Sequence, residues 1–352
     1  MARVLAGNLT FVLAKMHGMR SRMYEHERLD QLLGVRNLAE LMSTVAPGEE
    51  FRSHRDFERW LVARHVAELR ELSSHLKSPA RDATDAFLRR YQVENLKVIL
   101  RGWAQHSSAE EIQPYLAQLP QEMSLPVREL LGAAGLNGFL ERIPARILER
   151  RARPALARFS DAKSTFFVEA ALDRAWLAEL LQAAGRLKGP ARAATLHLVG
   201  LEADQYQAML VVRSRVNYDI PAEELREFLL TGPWTKITLS TLMELAAGRL
   251  AAEMIAKLKT WRGLTGVRWP DAGPGRSTEE LLGAVETEFA RRLCEEANSV
   301  YYRASNAGGL FGFFYLKRAE LANVIRLTEA LRYDIPRPDE AAKMIGRAAE
   351  RA

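Results

Sequence analysis

The chain has 352 residues, 48% of them hydrophobic and 27% charged, which excludes a disordered chain and leaves ample length for a core without disulfide staples. Fifty Lys and Arg against 44 Asp and Glu leave +6, and the seven Arg and three Glu between Arg128 and Arg158 supply +4 of it, so the excess reads as one basic face rather than a basic protein. The single cysteine, Cys294, excludes a disulfide framework and a Cys-based zinc site, and is compatible with a reducing compartment.

Taken in chain order, Leu5, Leu9, Val12, Leu13, Met16, Met19 and Met23 recur at three- and four-residue steps, the stripe of an amphipathic helix. Asn8 and Thr10 interrupt its apolar run and no small-residue cleavage site follows, so no leader is expected. Leu32, Leu33, Val35, Leu38, Leu41 and Met42 predict a second helix, closed by Ala46-Pro47-Gly48. A third runs through Phe57, Leu61, Val62, His65, Leu69 and Leu72 to about Lys77, ended by Ser78-Pro79. Loops are predicted at Gln118 to Leu125, Gly185 to Pro190, Gly232-Pro233 and Gly263 to Ser277. Ala-rich helical stretches fill Arg150 to Arg158, Ala170 to Ala184, Leu242 to Leu258 and Glu279 to Tyr301. The apolar run Gly308 to Leu316 is too short to cross a bilayer. No alternating or β-branched run stands out, so the fold class expected is all-α, in a soluble, cytosolic chain.

The sequence also repeats itself. Ala109-Glu110-Glu111-Ile112, then Tyr115-Leu116 and Pro120, matches Ala222-Glu223-Glu224-Leu225, then Phe228-Leu229 and Pro233, at a spacing of 113. Upstream, Glu94 and Lys97 to Leu100 resemble Asp204 and Gln207 to Leu210, and both resemble Glu320 and Asn323 to Ile325. Tyr218-Asp219-Ile220-Pro221 recurs as Tyr333-Asp334-Ile335-Pro336. Each copy reads as a helix with an acid near its start, a tight turn, and a second helix opened by Ala or Pro before paired acids. Acids there satisfy first-turn amides and the positive dipole end. Three similar helical lobes follow, approximately residues 1–125, 126–240 and 241–352. Chance similarity among Ala-, Glu- and Leu-rich helices is the alternative.

Chemistry is sparse. There is no phosphate-binding glycine loop after a strand and no nucleophile elbow, and no two histidines lie three or four residues apart as a helical metal pair would. His65, on an apolar stripe, reads as a semi-buried structural group, and Cys294 as a small helix residue. Catalytic, cofactor-binding and metal residues are therefore none. Arg142, Arg146, Arg150 and Arg153 are spaced to put four guanidinium groups on one helical face, although Pro144 lies inside the set. With no interleaved aromatic set or reader motif, this face reads as solvated or as the docking site for an anionic protein surface rather than for nucleic acid.

Three stretches carry a resemblance. Tyr315-Leu316-Lys317-Arg318-Ala319-Glu320-Leu321-Ala322-Asn323-Val324-Ile325-Arg326 resembles the C-terminal signature of the C subunit of V-type (V/A-type) ATPases, whose eukaryotic counterpart is the d subunit. Ala14 to Met23 is similar to that family's opening helix, with His17 where a basic Arg is usual. Tyr91-Gln92-Val93-Glu94-Asn95-Leu96-Lys97 is similar to its first-lobe motif, and the turn after Arg326 carries Tyr333 and Asp334 rather than a glycine. The resemblance implies three all-α lobes arranged as a funnel about a pseudo-threefold axis. It implies a non-catalytic part of the central stalk, without a cofactor, seated between rotor shaft subunits and the proteolipid ring. The chain would then be peripheral to the cytoplasmic face of a membrane through that ring, with no homo-oligomer required. Within this reading Glu94, Asp204, Glu320 and Arg326 are candidate ties between helices, against an ordinary role as helix-end charge. Acidic loops of the ring or shaft, or anionic headgroups, would meet the basic face. A free-standing α-helical repeat scaffold binding peptide or nucleic acid is the alternative from a different class.

Overall fold

Side-chain caps set where many of the helices begin. Asn37, Ser53, Ser108, Thr238, Ser277 and Asn306 each accept a hydrogen bond from a first-turn amide. At Ser108 and Ser277 the residue three further on, Glu111 or Glu280, reaches back to the cap amide and completes a capping box. The computed structural model describes residues 2–148, 156, 164–230, 232–271, 276–336, 341 and 343–346. Among these there are fifteen α-helices, four short 3-10 turns and no strand. The chain divides into two compact units, one of residues 1–81, 187–198 and 266–352, the other of residues 82–186 and 199–265.

The first unit holds α1 (Ala2–Arg20), α2 (Glu27–Leu33), α3 (Leu38–Val45) and α4 (His54–Ser74). It also holds the hairpin of α14 (Thr278–Arg303) and α15 (Ala307–Arg332). Val12, Met16, Met19 and Met23 of the opening stripe are buried, as the periodicity requires. The hairpin is tight because α15 opens with glycines. A Cβ on Gly309 would lie 2.1 Å from the Ala304 carbonyl oxygen, and one on Gly312 2.6 Å from that of Ala297. Beyond them Leu310, Phe311, Phe313 and Phe314 are wholly buried. Leu29, Leu41, Phe57, Leu61, Val324 and Leu327 form one core joining α2, α3, α4 and α15. Burying each such side chain contributes roughly 1.5–3 kcal/mol against its exposed state.

The second unit is built on α5 (Ala80–Ala104), α9 (Ser164–Gly185) and residues 199–218 of α10 (Gly189–Tyr218). The shorter α6 (Ala109–Ile112), α7 (Val127–Leu131), α8 (Gly135–Arg142), α11 (Ala222–Leu225), α12 (Leu239–Ala246) and α13 (Ala251–Leu258) complete it. Phe87, Leu96, Ile99, Phe167, Leu172 and Leu177 are buried in it. Trp176 on α9 is 4% exposed and its indole N–H donates to the Ala86 carbonyl at 3.0 Å, joining α9 to α5.

Three expected boundaries differ. The helix read through Leu32 to Met42 is two helices, because Asn37 caps α3 at the Glu40 amide (2.9 Å) while the Glu40 carboxylate accepts from the Arg36 amide (2.7 Å). The stretch Leu242 to Leu258 is likewise broken after Ala246, where a Cβ on Gly248 would lie 2.7 Å from the Met254 Cγ. The loop expected at Gly185 to Pro190 shrinks to residues 186–188, with Pro190 in the first turn of α10, where its missing N–H costs nothing. The stretch Arg150 to Arg158 lies outside the described residues except Leu156, which is buried.

One helix ending occurs three times. His106, Asp219 and Asp334 follow α5, α10 and α15 with φ of +57°, +46° and +52°, a left-handed conformation that His and Asp tolerate better than most side chains. The next residue then caps the helix: Ser107 N donates to Gly102 O at 2.8 Å, Ile220 N to Ser214 O at 3.0 Å, and Ile335 N to Ala330 O at 3.0 Å. After the first two endings come α6 and α11, each passing into a 3-10 turn, Gln113–Tyr115 and Arg226–Phe228, with every boundary at the spacing of 113 seen in the sequence. In the third copy the matching residues 337–340 lie outside the described residues.

Candidate functional site

Each of the three helices with this ending, α5, α10 and α15, carries a side-chain amide that captures the backbone of the segment returning past it. On α5, Asn95 accepts from Ala117 N at 2.8 Å and donates to Ala117 O at 2.9 Å. On α15, Asn323 accepts from Ile345 N at 3.1 Å and donates to Ile345 O at 2.8 Å. On α10, Gln207 accepts from Leu230 N at 2.6 Å. The loop separations are 22, 22 and 23 residues. A primary amide has the donor and acceptor of a peptide group, so a helix side chain can pair with extended backbone as a neighbouring strand would. Gln92 is a fourth amide of this type, donating to Met123 O at 3.0 Å.

Asp204, one turn before Gln207, is 1% exposed. Its carboxylate accepts from Lys236 N at 2.9 Å and Ile237 N at 3.1 Å, tying α10 to the segment that leads into α12. Burial pushes its pKa up to about 6, although the two backbone donors and the Lys236 charge pull it down. Gly200 lets the same segment lie close, since a Cβ there would meet the Trp234 carbonyl oxygen at 2.4 Å.

Glu320 on α15 accepts from Tyr24 N at 2.7 Å and pairs with Lys317 at 2.6 Å. Lys317 also reaches Glu68 on α4 at 2.9 Å, and Glu68 holds Arg64 at 2.9 Å. Burial works against the Lys317 charge, but Glu320 and Glu68 outweigh it and raise its pKa. Burial would raise the Glu68 pKa, yet Lys317 and Arg64 bring it below the ordinary carboxylate value. His65 beside this network is wholly buried, and burial, with Lys317 and Arg318, lowers its pKa to about 3, so it is neutral. Arg326 donates to the Lys343 carbonyl, on the segment that Asn323 captures.

Glu94 differs from the other candidate ties. Among the described residues its ion pairs stay on its own helix, to Lys97 at 3.4 Å and Arg90 at 3.9 Å. Those two cations make the cross-helix links, Lys97 to Asp173 on α9 at 2.5 Å and Arg90 to Glu202 on α10 at 3.1 Å. Asn95, Gln207, Asn323 and Lys317 do not stand out as ties in the sequence. The signal available was an amide a fixed few turns before each left-handed residue.

The arginines behave differently from a single helical face. α8 stops at Arg142 and Ile143 is extended, because Pro144 cannot supply the amide that would continue the helix. Arg142 donates to the Glu129 carbonyl and Arg146 to the Glu122 carbonyl at 3.1 Å, both exposed. Arg150 and Arg153 lie outside the described residues. His17, the departure noted in the opening helix, bonds the Tyr301 hydroxyl, and Arg20 lies 4.1 Å from the Tyr301 ring centroid. Among the described residues no cluster of His, Cys, Asp and Glu is arranged to hold a metal ion, and no helix is long and apolar enough to cross a membrane.

The family model described as ATP synthase (C/AC39) subunit matches residues 12–339. The C subunit of the A-type ATP synthase from Methanosarcina mazei is 24% identical over 186 residues, 53% of this chain and 50% of that protein. Its counterpart in Halobacterium salinarum is 23% identical over 189 residues, 49% of this chain and 52% of that one. The C subunit from Methanocaldococcus jannaschii is 34% identical over 83 residues, 23% of this chain and 21% of that one. The chain spans about half the length of the first two relatives and a fifth of the third.

Proposed function

Since the chain belongs to the ATP synthase (C/AC39) subunit family, we propose that it is a non-catalytic part of the central stalk that couples a rotor shaft to a membrane proteolipid ring for ion transport. On this reading it is peripheral to the cytoplasmic face of the membrane and is held there by the ring. The funnel of three similar lobes, approximately 1–125, 126–240 and 241–352, is part of the same proposal, as is docking through Arg142, Arg146, Arg150 and Arg153.

The observation that supports this most is the recurring fastened helix end within a chain that the family model covers almost throughout. A part that passes torque must resist shear. Apolar contacts alone are non-directional and permit sliding, whereas a hydrogen bond weakens steeply once its geometry is lost. Asn95, Gln207 and Asn323 each fix one backbone residue against a long helix, and Asp204 fixes two more. The Glu320–Lys317–Glu68 network fixes α15 to α4 and to the turn after α1.

Affinity capture of the tagged full chain from solubilised host membranes tests the reading. Co-purification of rotary ATPase shaft and ring subunits is expected, weakening as salt is raised if the basic face takes part. Their absence across several detergents would overturn the proposal.

A further inference from the structure

A cavity of about 200 Å³ lies within the first unit, walled by Cys294 and Asn298 of α14, by Arg20 at the end of α1, and by Ile345 and Gly346. Arg20 is fixed there from several sides. Its Nε donates to Glu25 at 3.1 Å and its Nη2 to the Asn298 side-chain oxygen at 2.5 Å. The guanidinium lies 4.1 Å from the Tyr301 ring centroid and 4.9 Å from that of Tyr302. Only 8% of the side chain is exposed, and Nη1 meets no hydrogen-bond acceptor among the described residues. A buried charged donor without an acceptor is costly, and a guanidinium held in place is suited to a carboxylate.

Cys294, the one cysteine of the chain, lines the same cavity and is partly exposed. The thiolate is the form of a cysteine that attacks, and partial exposure beside cations is the setting that favours it. Arg291, one turn before Cys294, adds a second guanidinium to the wall, its charge shared with Glu288. The two carboxylates in the wall have counter-cations of their own, Glu25 from Arg20 and Glu295 from Arg268 at 3.0 Å. We propose that Cys294 is a site of S-thiolation by a small disulfide that carries a carboxylate, with Arg20 receiving that carboxylate. The Cys294 thiol ionises, giving its proton to water, and its sulfur attacks one sulfur of the reagent. A new S–S bond forms as the old one breaks, and the departing half leaves as a thiolate that takes up a proton. The reagent disulfide is the oxidant, so one disulfide and one thiol are consumed and one of each is made. Ile345, whose backbone Asn323 holds at both polar atoms, is part of the cavity wall, so the adduct would sit against that tie.

The test exposes the full chain at neutral pH to glutathione disulfide or to the neutral 2-hydroxyethyl disulfide and follows the intact mass over time. With one cysteine in the chain, the site of any adduct is settled without mapping. The same pair of rates measured on the chain unfolded in urea gives the intrinsic preference of the thiol. The folded chain should take up one glutathione, lost again on adding dithiothreitol. Its preference for glutathione disulfide over the neutral reagent should exceed that of the unfolded chain about tenfold, the gain of one charge-assisted contact. Arg20→Met should return the preference to the unfolded value while Cys294 still reacts with the neutral reagent. No adduct on the folded wild type, or a preference no greater than in urea, would overturn the proposal without any variant having to fold. An Arg20→Met chain that keeps the full preference would overturn it as well.

Discussion

Asn323 sits at 2% exposure and gives both halves of its amide to Ile345, so removing it strands a buried N–H and a buried C=O together. Leaving such groups unpaired costs about 1–3 kcal/mol each. Asn323→Ala is therefore expected to lower unfolding stability by about 2–4 kcal/mol in urea titrations, and a loss under about 0.5 kcal/mol would show that water replaces the contact. Ionic contacts at this scale carry a pH signature. The Glu68 pKa is held below its ordinary 4.5 by Lys317 and Arg64 against burial, so the pair's stabilisation is present above pH 4.5 and is lost as pH falls through the lower folded value. Lys317→Met should lower stability at pH 7 while flattening the acid limb of the stability profile below pH 4.5. An acid limb as steep as the wild type's would place that dependence elsewhere.

The helix endings are the clearest features at the scale of elements. Asp334 occupies a left-handed position where the family resemblance led us to expect a glycine, and its φ of +52° is the conformation glycine adopts without penalty. Asp334→Gly is expected to be neutral or stabilising by up to about 1 kcal/mol, and Asp334→Val destabilising by more than that, both read from denaturant midpoints. Gly309 has the opposite requirement. Its φ is ordinary, but a Cβ would stand 2.1 Å from the Ala304 carbonyl oxygen, so Gly309→Ala must separate α14 from α15. A loss of about 1–3 kcal/mol or more is expected, and an unchanged Tm would contradict that close approach. Much of this was legible beforehand. The AEE-plus-aromatic repeat marked where α6 and α11 open, because first-turn acids and buried Ile112 and Leu225 are local features. The breaks at Gly34 to Asn37 and at Gly248 were not, since the apolar period runs on through both and only a cap or a close contact reveals the interruption.

At the scale of the whole chain, the sequence held the family resemblance but placed the ties unevenly. Asp204, Glu320 and Arg326 reach across elements, while Glu94 points along its own helix and leaves its neighbours Asn95 and Lys97 to make the links. A charge pattern identifies acids more readily than amides, and a repeat aligned on acids brings Gln207 and Asn323 into register, each three residues after its acid, but misses Asn95, one residue after Glu94. The basic stretch read as one helical face because its spacing ignores the amide that Pro144 lacks. What unites these details is that α5, α10 and α15 each carry a side chain that pins a returning segment, as the proposed torque-transmitting role requires. The direct test reconstitutes a complete rotary ATPase in ion-tight vesicles with and without this chain, and measures ATP hydrolysis and ATP-driven ion uptake together. With the chain, uptake should accompany hydrolysis; without it, hydrolysis should continue while uptake falls to background, and adding the purified chain back should restore uptake. Undiminished uptake in its absence would contradict a coupling role.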